Sequence, residues 1–278
     1  MSVDSLSEPL LSVRGIEIAL RSDAALLVHG VSFDLDRGGC VGIVGESGSG
    51  KSLTCRAILG ILPNAVELVS GSVRLGGTEV TGYRERDWRP LRGRRVGAVF
   101  QDPASYLNPS IPVGAQLAES LRVVTGLNRR DAAARAVRLL GTVGLVNPER
   151  AYHRYRHELS GGMLQRVLIA IAIGGDPELL IADEATTALD VTVQAEVLDL
   201  VRELRETRGL GLLVVSHDLA VISQLAGHVL VMREGAVVEQ GDTSAVLSAP
   251  RHEYTKLLVR DHEEYGLDRF YESRRVSA

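Results

Sequence analysis

The 278-residue chain is poor in lysine, cysteine and aromatic residues: of 31 basic residues only Lys51 and Lys256 are lysine, cysteines number two, and aromatics make up 4%. Two cysteines exclude a disulfide framework. Cys40 and Cys55, expected on a strand and the helix after it, read as small core residues of a reducing compartment, neither a disulfide nor a metal pair. No apolar run approaches the ~18 residues that span a bilayer. The N-terminal stretch carries Asp4 and Glu8 without an apolar signal core, so export is not expected. A net charge of −4 argues against an electrostatic nucleic-acid binder, which is usually strongly basic. Internal repeats and low-complexity segments are missing too. With 45% hydrophobic and 24% charged residues, the chain is long enough for a main globular domain and a smaller companion. Any membrane role must therefore come through partners.

The scarcity of lysine makes Lys51 informative. Where any cation serves, this chain uses arginine, so a lysine marks a position that needs a compact ammonium. Lys51 lies in Gly45-Glu46-Ser47-Gly48-Ser49-Gly50-Lys51-Ser52, which satisfies G-x-x-x-x-G-K-[ST] in full. The apolar run Cys40-Val41-Gly42-Ile43-Val44 before it predicts a buried strand, and 53–62 after it predicts a helix. That is the context a phosphate-binding loop requires. Gly45, Gly48 and Gly50 let the backbone curl so that its N–H groups face a phosphate at the positive end of a helix. Lys51 is expected to reach the β- and γ-phosphates, and the Ser52 hydroxyl to sit on Mg²⁺. The chain is thus expected to bind a nucleoside triphosphate. The loop alone leaves kinases, GTPases and many ATPases open.

Alternation over 10–37 (Leu11, Val13, Ile16, Ile18, then Leu27, Val31, Phe33, Leu35) predicts antiparallel strands closed by the turn Asp36-Arg37-Gly38-Gly39. Pro63-Asn64 ends the first helix. A strand pair follows at 71–75 and 78–80 with Gly76-Gly77 as its turn, then a short strand at 96–100. From 112 to 158 the pattern is helical, with Ala132, Ala136, Leu139, Leu140 and Val143 on one face, and reads as an inserted helical subdomain. Arg129-Arg130 and the arginine-rich stretch 150–156 read as its solvated face, and His153 with His157 as solvated rather than metal-binding. An apolar helix is expected at 163–173, buried strands at 177–182 and 211–215, and an amphipathic helix at 191–208. A hairpin at 229–233 and 236–239 and two short helices complete the order. The expected fold is α/β, a mixed core sheet over 1–111 and 159–248 carrying an N-terminal antiparallel β subdomain, the helical subdomain 112–158, and a short C-terminal extension over 249–278.

Leu159-Ser160-Gly161-Gly162-Met163-Leu164-Gln165 resembles the L-S-G-G-x-x-Q signature of ATP-binding cassette (ABC) ATPases. The family's other marks stand in the family's order: Gln101 after a strand, Asp183-Glu184 ending another, Ala188-Leu189-Asp190 just beyond, and His217 after the next. The resemblance covers residues from about 10 to about 260. It implies that Asp183, Ser52 and Gln101 serve Mg²⁺, that Glu184 is the general base, and that His217 contacts the γ-phosphate. It implies that Ser160, Gly161 and Gly162 form a second anion site at a helix N-terminus, facing ATP held by the opposite subunit, with Asp190 in the dimer loop. Two departures stand out. Leu20 occupies the region where many members stack an aromatic on adenine, and Ala185 follows Asp183-Glu184 where proline is common. Neither touches the expected hydrolytic residues.

Gln101-Asp102-Pro103 with Leu107-Asn108-Pro109 resembles the peptide and nickel importer branch, as does Ala249-Pro250-Arg251-His252-Glu253-Tyr254-Thr255, close to A-P-x-H-P-Y-T. Leu27-Val28-His29-Gly30-Val31-Ser32, Lys51-Ser52-Leu53-Thr54-Cys55, Leu59-Gly60-Ile61-Leu62-Pro63 and Gly161-Gly162-Met163-Leu164-Gln165-Arg166 look most like nickel-importer subunits, and so does the short tail near Tyr265-Gly266-Leu267. The resemblance thus implies an ATPase that powers import of nickel or a nickel chelate, with dipeptides or oligopeptides as the alternative. It implies a heterodimer with a second ABC ATPase, two permease subunits and an extracytoplasmic binding protein, at the cytoplasmic face of the inner membrane and without nucleic acid. A DNA-repair ABC ATPase would need a long heptad segment between residues 50 and 159, and the sequence has none.

Overall fold

Short apolar runs without alternation must be buried on both faces, and here they form the parallel middle of one sheet. The computed structural model describes residues 8–185 and 190–265. In chain order the elements are β1 (Leu11–Leu20), β2 (Leu26–Leu35), β3 (Cys40–Val44), α1 (Lys51–Ile58), β4 (Val66–Leu75), β5 (Thr78–Glu79), α2 (Glu85–Trp88) and β6 (Val96–Val99). Then come α3 (Val113–Thr125), α4 (Arg129–Thr142), α5 (Pro148–Tyr152), α6 (Gly161–Ile173), β7 (Leu179–Asp183), α7 (Val191–Arg208), β8 (Gly211–Ser216), α8 (Leu219–Leu225), β9 (His228–Arg233), β10 (Ala236–Asp242), α9 (Thr243–Ser248) and α10 (Glu253–Tyr265).

The ten strands run β5-β4-β1-β2-β10-β9-β3-β8-β7-β6. Strands β9, β3, β8, β7 and β6 are mutually parallel, whereas β5, β4, β1 and β2 form an antiparallel meander. One parallel pair, Ala236 with His29, joins the two parts. Side chains alternate across the core strands. Ile43, Ile181, Leu213, Val215 and Leu230 pack with α1 and the meander. Val44, Leu180, Leu212, Val214 and Val231 pack with α6, α7 and α8 on the other face.

Helices α3, α4 and α5 pack on one another and on α6, with Ala132, Ala136, Leu139, Leu140 and Val143 buried as the periodicity predicts. Three expectations need correction. The first helix begins at Lys51 and ends at Ile58, since the motif's last two residues are already helical and Gly60 adopts φ +63° against the Trp88 ring. A Cβ there would meet Trp88 Nε1 at 2.1 Å, so the reversal requires glycine. The strand expected at 71–75 begins at Val66 and pairs with β1 along its length. Arg156 is not part of a solvated face: it donates to the carbonyls of Ala104 and Leu107 and ties the helical segment to the loop after β6. The expected solvation of His153 and His157 agrees with their exposure. Cys40 and Cys55 are both buried and free. Burial pushes the Cys40 thiol up to about 12, and Cys55 well above its ordinary value, so neither is a thiolate.

Glu178, just before β7, accepts from Arg95 at 2.8 Å and from Arg37 at 2.5 Å, bridging the starts of three strands. The Arg95 hydrogen bond, with help from Arg37, holds its carboxyl below the ordinary 4.5. A carboxyl depressed in the folded state contributes stability above its unfolded value and loses it as pH falls through the folded one. The melting temperature of the wild type is therefore expected to fall more steeply below pH 4.5 than that of Glu178→Gln. Parallel curves would show that the bridge contributes nothing, as many half-exposed ion pairs do.

Candidate nucleotide site

Register in the sheet brings the chemistry together. Val44 pairs with Ser216, and Asp183 pairs with Val215, so the C-terminal ends of β3, β7 and β8 lie level. The loop 45–50, the pair Asp183-Glu184 and His217 therefore leave the sheet side by side, at the edge where open α/β sheets bind ligands. A cleft of about 920 Å³ opens there, lined by Gly45, Glu46, Ser47, Gly48, Gly50, Lys51, Ser52, Gln101, Glu184 and His217 among others.

The loop is curled as the motif requires. Gly45 has φ +157°, and a Cβ there would lie 2.1 Å from the Met232 carbonyl, so β9 sits hard against the loop's entry. Lys51 is 3% exposed and donates to the carbonyls of Gly45 and Glu46, each at 2.7 Å. Ser52 Oγ donates to Asp183 Oδ1 at 2.9 Å, joining α1 to the end of β7. Asp183 is 4% exposed. Burial lowers the Lys51 ammonium, with Glu184 and Asp183 pushing it back up. Burial likewise raises Asp183, opposed by the Ser52 hydrogen bond and reinforced by the Glu184 charge. Burial thus moves both groups toward their neutral forms. Glu184 takes a left-handed backbone, φ +49°, with its amide held by the Val215 carbonyl at 2.9 Å. Its Oε2 lies 3.8 Å from His217 Nδ1, and His217 is half exposed to the cleft. Gln101 is exposed and lines the same cleft.

A hydroxyl and a carboxylate in hydrogen-bond contact are hard oxygen donors that suit Mg²⁺. Among the described residues no group of three or more His, Cys, Asp or Glu could cage a metal alone.

The signature is built elsewhere. Ser160 caps α6, its hydroxyl accepting from the Met163 amide at 3.4 Å. Gly162 packs where a Cβ would meet Val193 of α7 at 2.2 Å. Leu159 is buried, as is Gln165, whose Nε2 has no hydrogen-bond partner among the described residues. Asp190 caps α7 by accepting from the Val193 amide at 3.0 Å, next to the signature. None of these residues lines the phosphate cleft. Ala188 and Leu189 of that motif lie outside the described residues, as does the tail beyond Tyr265. Leu20 is partly buried against the core of the meander and is no part of the cleft lining. Sequence reasoning missed six cleft residues: Leu53, Asp218, Leu219, Leu258, Asp261 and His262. The last three belong to α10, and the only signal near them was the A-P-x-H-P-Y-T-like stretch.

Fold and site together define an ATP-binding cassette with a phosphate loop, a carboxylate pair and a separate signature helix. The family model described as ABC transporter matches residues 28–187, and the chain belongs to that family. It is 41% identical over 262 residues to the dipeptide transport ATP-binding protein DppD of Escherichia coli (strain K12), covering 94% of this chain and 80% of the relative. It is 45% identical over 250 residues to the oligopeptide transport ATP-binding protein OppD of Mycobacterium tuberculosis, covering 89% of this chain but only 41% of that relative's length. Among solved structures it resembles cbiO1 from Clostridium perfringens, part of the ABC transporter complex cbiONQ. There the TM-score is 0.75 at 26% identity, over 96% of this chain and 99% of that one.

Proposed function

We propose that this chain is the ATP-hydrolysing subunit of an ABC importer whose cargo is dipeptides or oligopeptides. The observation that carries the ATPase reading is the cleft at the ends of β3, β7 and β8, where Lys51, Ser52, Asp183, Glu184 and His217 converge. In this reading the loop amides from Gly45 to Ser52 and the Lys51 ammonium bind the phosphates. Mg²⁺ bound with the nucleotide neutralises phosphate charge; Ser52, Asp183 and Gln101 are the residues that would hold it. Glu184 takes the proton of the attacking water, and His217 contacts the γ-phosphate. Positioning and charge neutralisation supply most of the catalysis in phosphoryl transfer, so these few groups suffice.

The signature residues Ser160, Gly161 and Gly162 lie away from this chain's own cleft, which supports a role toward nucleotide held by a second cassette. The partner is proposed to be a related ATPase, giving a heterodimer bound to two permease subunits and served by an extracytoplasmic binding protein. The proposed subdomain limits are a cassette core of 1–111 and 159–248, a helical subdomain of 112–158, and an extension of 249–278. No described helix is long and apolar enough to cross a membrane, which accords with a peripheral subunit at the cytoplasmic face of the inner membrane.

The cargo rests on the relatives. Peptide importers match over nearly the whole chain at 41–45% identity, which outweighs the short nickel-type stretches that put nickel first in the sequence analysis. Those stretches keep nickel as the second reading. Deleting the gene is expected to abolish growth on di- or oligopeptides as sole amino-acid source while cellular nickel stays unchanged. Loss of nickel content with intact peptide use would reverse the assignment.

A further inference from the structure

The A-P-x-H-P-Y-T-like stretch has no role in the reading above, yet it meets the phosphate loop directly. Tyr254 is 3% exposed, and its hydroxyl accepts the backbone N–H of Glu46 at 2.9 Å across 208 residues of sequence. The approach is built on both sides. The Glu239 carboxylate accepts the amides of Arg251 at 2.9 Å and His252 at 3.0 Å, and His252 Nδ1 accepts the Tyr254 amide at 3.2 Å. The Arg233 guanidinium lies 5.1 Å from the Tyr254 ring centroid. Further along the same face of α10, Leu258, Asp261 and His262 line the nucleotide cleft.

The loop curls through Gly45, Gly48 and Gly50 at φ +157°, +83° and +97°, and three contacts hold that curl. Lys51 holds the carbonyls of Gly45 and Glu46 from inside. The Gly235 amide holds the Ser49 carbonyl at 3.2 Å. Tyr254 holds the Glu46 amide from behind. We propose that Tyr254 is a positioning residue of the phosphate loop: by accepting the Glu46 N–H it keeps the loop's entry in the curl that aims the later amides at the nucleotide. The proposal rests on the ATPase reading. Burial also pushes the phenol above its ordinary value, so it stays protonated and neutral beside the loop.

The test uses the full chain and Tyr254→Phe, which removes one hydroxyl and keeps the ring. The Kd for a non-hydrolysable ATP analogue with Mg²⁺ is expected to rise about fivefold, which is ~1 kcal/mol. Amide hydrogen exchange at Glu46 without nucleotide is expected to accelerate. A lower melting temperature with an unchanged Kd would mean that the tie merely anchors α10, and overturns the proposal. If Tyr254→Phe does not fold, Glu239→Ala reads the same tie by freeing the amides that seat Tyr254: a raised Kd supports the proposal and an unchanged one overturns it. A wild-type chain that binds no nucleotide overturns the ATPase reading and this proposal together, whereas wild-type binding that is indifferent to both variants overturns this proposal alone.

Discussion

Glu184→Gln is expected to lower ATP turnover by about 10²- to 10⁴-fold, the usual contribution of a positioned general base, while nucleotide affinity changes little. The substitution removes a proton acceptor and keeps the shape. The backbone of Glu184 is already in the left-handed region at φ +49°, fixed through its amide on Val215, and glutamine inherits that placement. The hydrogen bonds of the phosphate-binding groups are kept, since Ser52 bonds Asp183 and Lys51 bonds the carbonyls of Gly45 and Glu46; what the change removes is the Glu184 charge beside Lys51 and Asp183. If the second cassette is present, the variant is expected to accumulate as an ATP-bound dimer on size-exclusion chromatography, because the sandwich forms and does not discharge. Phosphate release and equilibrium binding measured on one preparation separate the two effects. Near-normal turnover would show that another group, with His217 the nearest candidate at 3.8 Å, takes the proton.

Lys51→Arg is expected to weaken MgATP binding by at least 10- to 100-fold despite conserving charge. The ammonium sits in a pocket 3% exposed to solvent, between two carbonyls of its own loop at 2.7 Å. Charge-assisted hydrogen bonds of this kind contribute about 1.5–3 kcal/mol each, and a bulkier planar five-donor fork cannot occupy the same point. Burial already lowers the Lys51 pKa, so the site has no spare solvation for a bulkier cation. Lys51→Ala serves as the reference for complete loss. An arginine variant that binds like the wild type would remove the argument for a compact ammonium.

Several elements were legible in the sequence for physical reasons. Strands β3, β7 and β8 are nearly continuous apolar runs, as strands buried on both faces are, with polar Asp183 and Ser216 only at the C-terminal ends of β7 and β8. Helix α7 matches its expected limits at both ends because Asp190 caps it and Gly209, at φ +62°, stops it. The start of α1 was misplaced because Lys51 and Ser52 serve the loop motif and the helix at once. Helix α8 went unread, being only seven residues long after the His217 turn. The partner of β3 on its far side, β9, was also not legible, since pairing across 187 residues leaves no periodic trace.

The sequence by itself determined the loop, the capped signature helix and the strand-ending carboxylates, because each depends on backbone and side-chain geometry within a few residues. Phosphate binding by curled amides is a local property, and glycine spacing encodes it locally. Only the tertiary structure decided which distant groups share the cleft. Ser52 meets Asp183 across 131 residues, and Tyr254 reaches Glu46 across 208. The signature, only 24 residues before Glu184, stays outside the cleft. Strand order and register set these outcomes: parallel pairing aligns the ends of β3, β7 and β8, while α6 lies on one face of the sheet. Such long-range placement follows from burying both faces of the sheet at once, and no short stretch of residues carries that information.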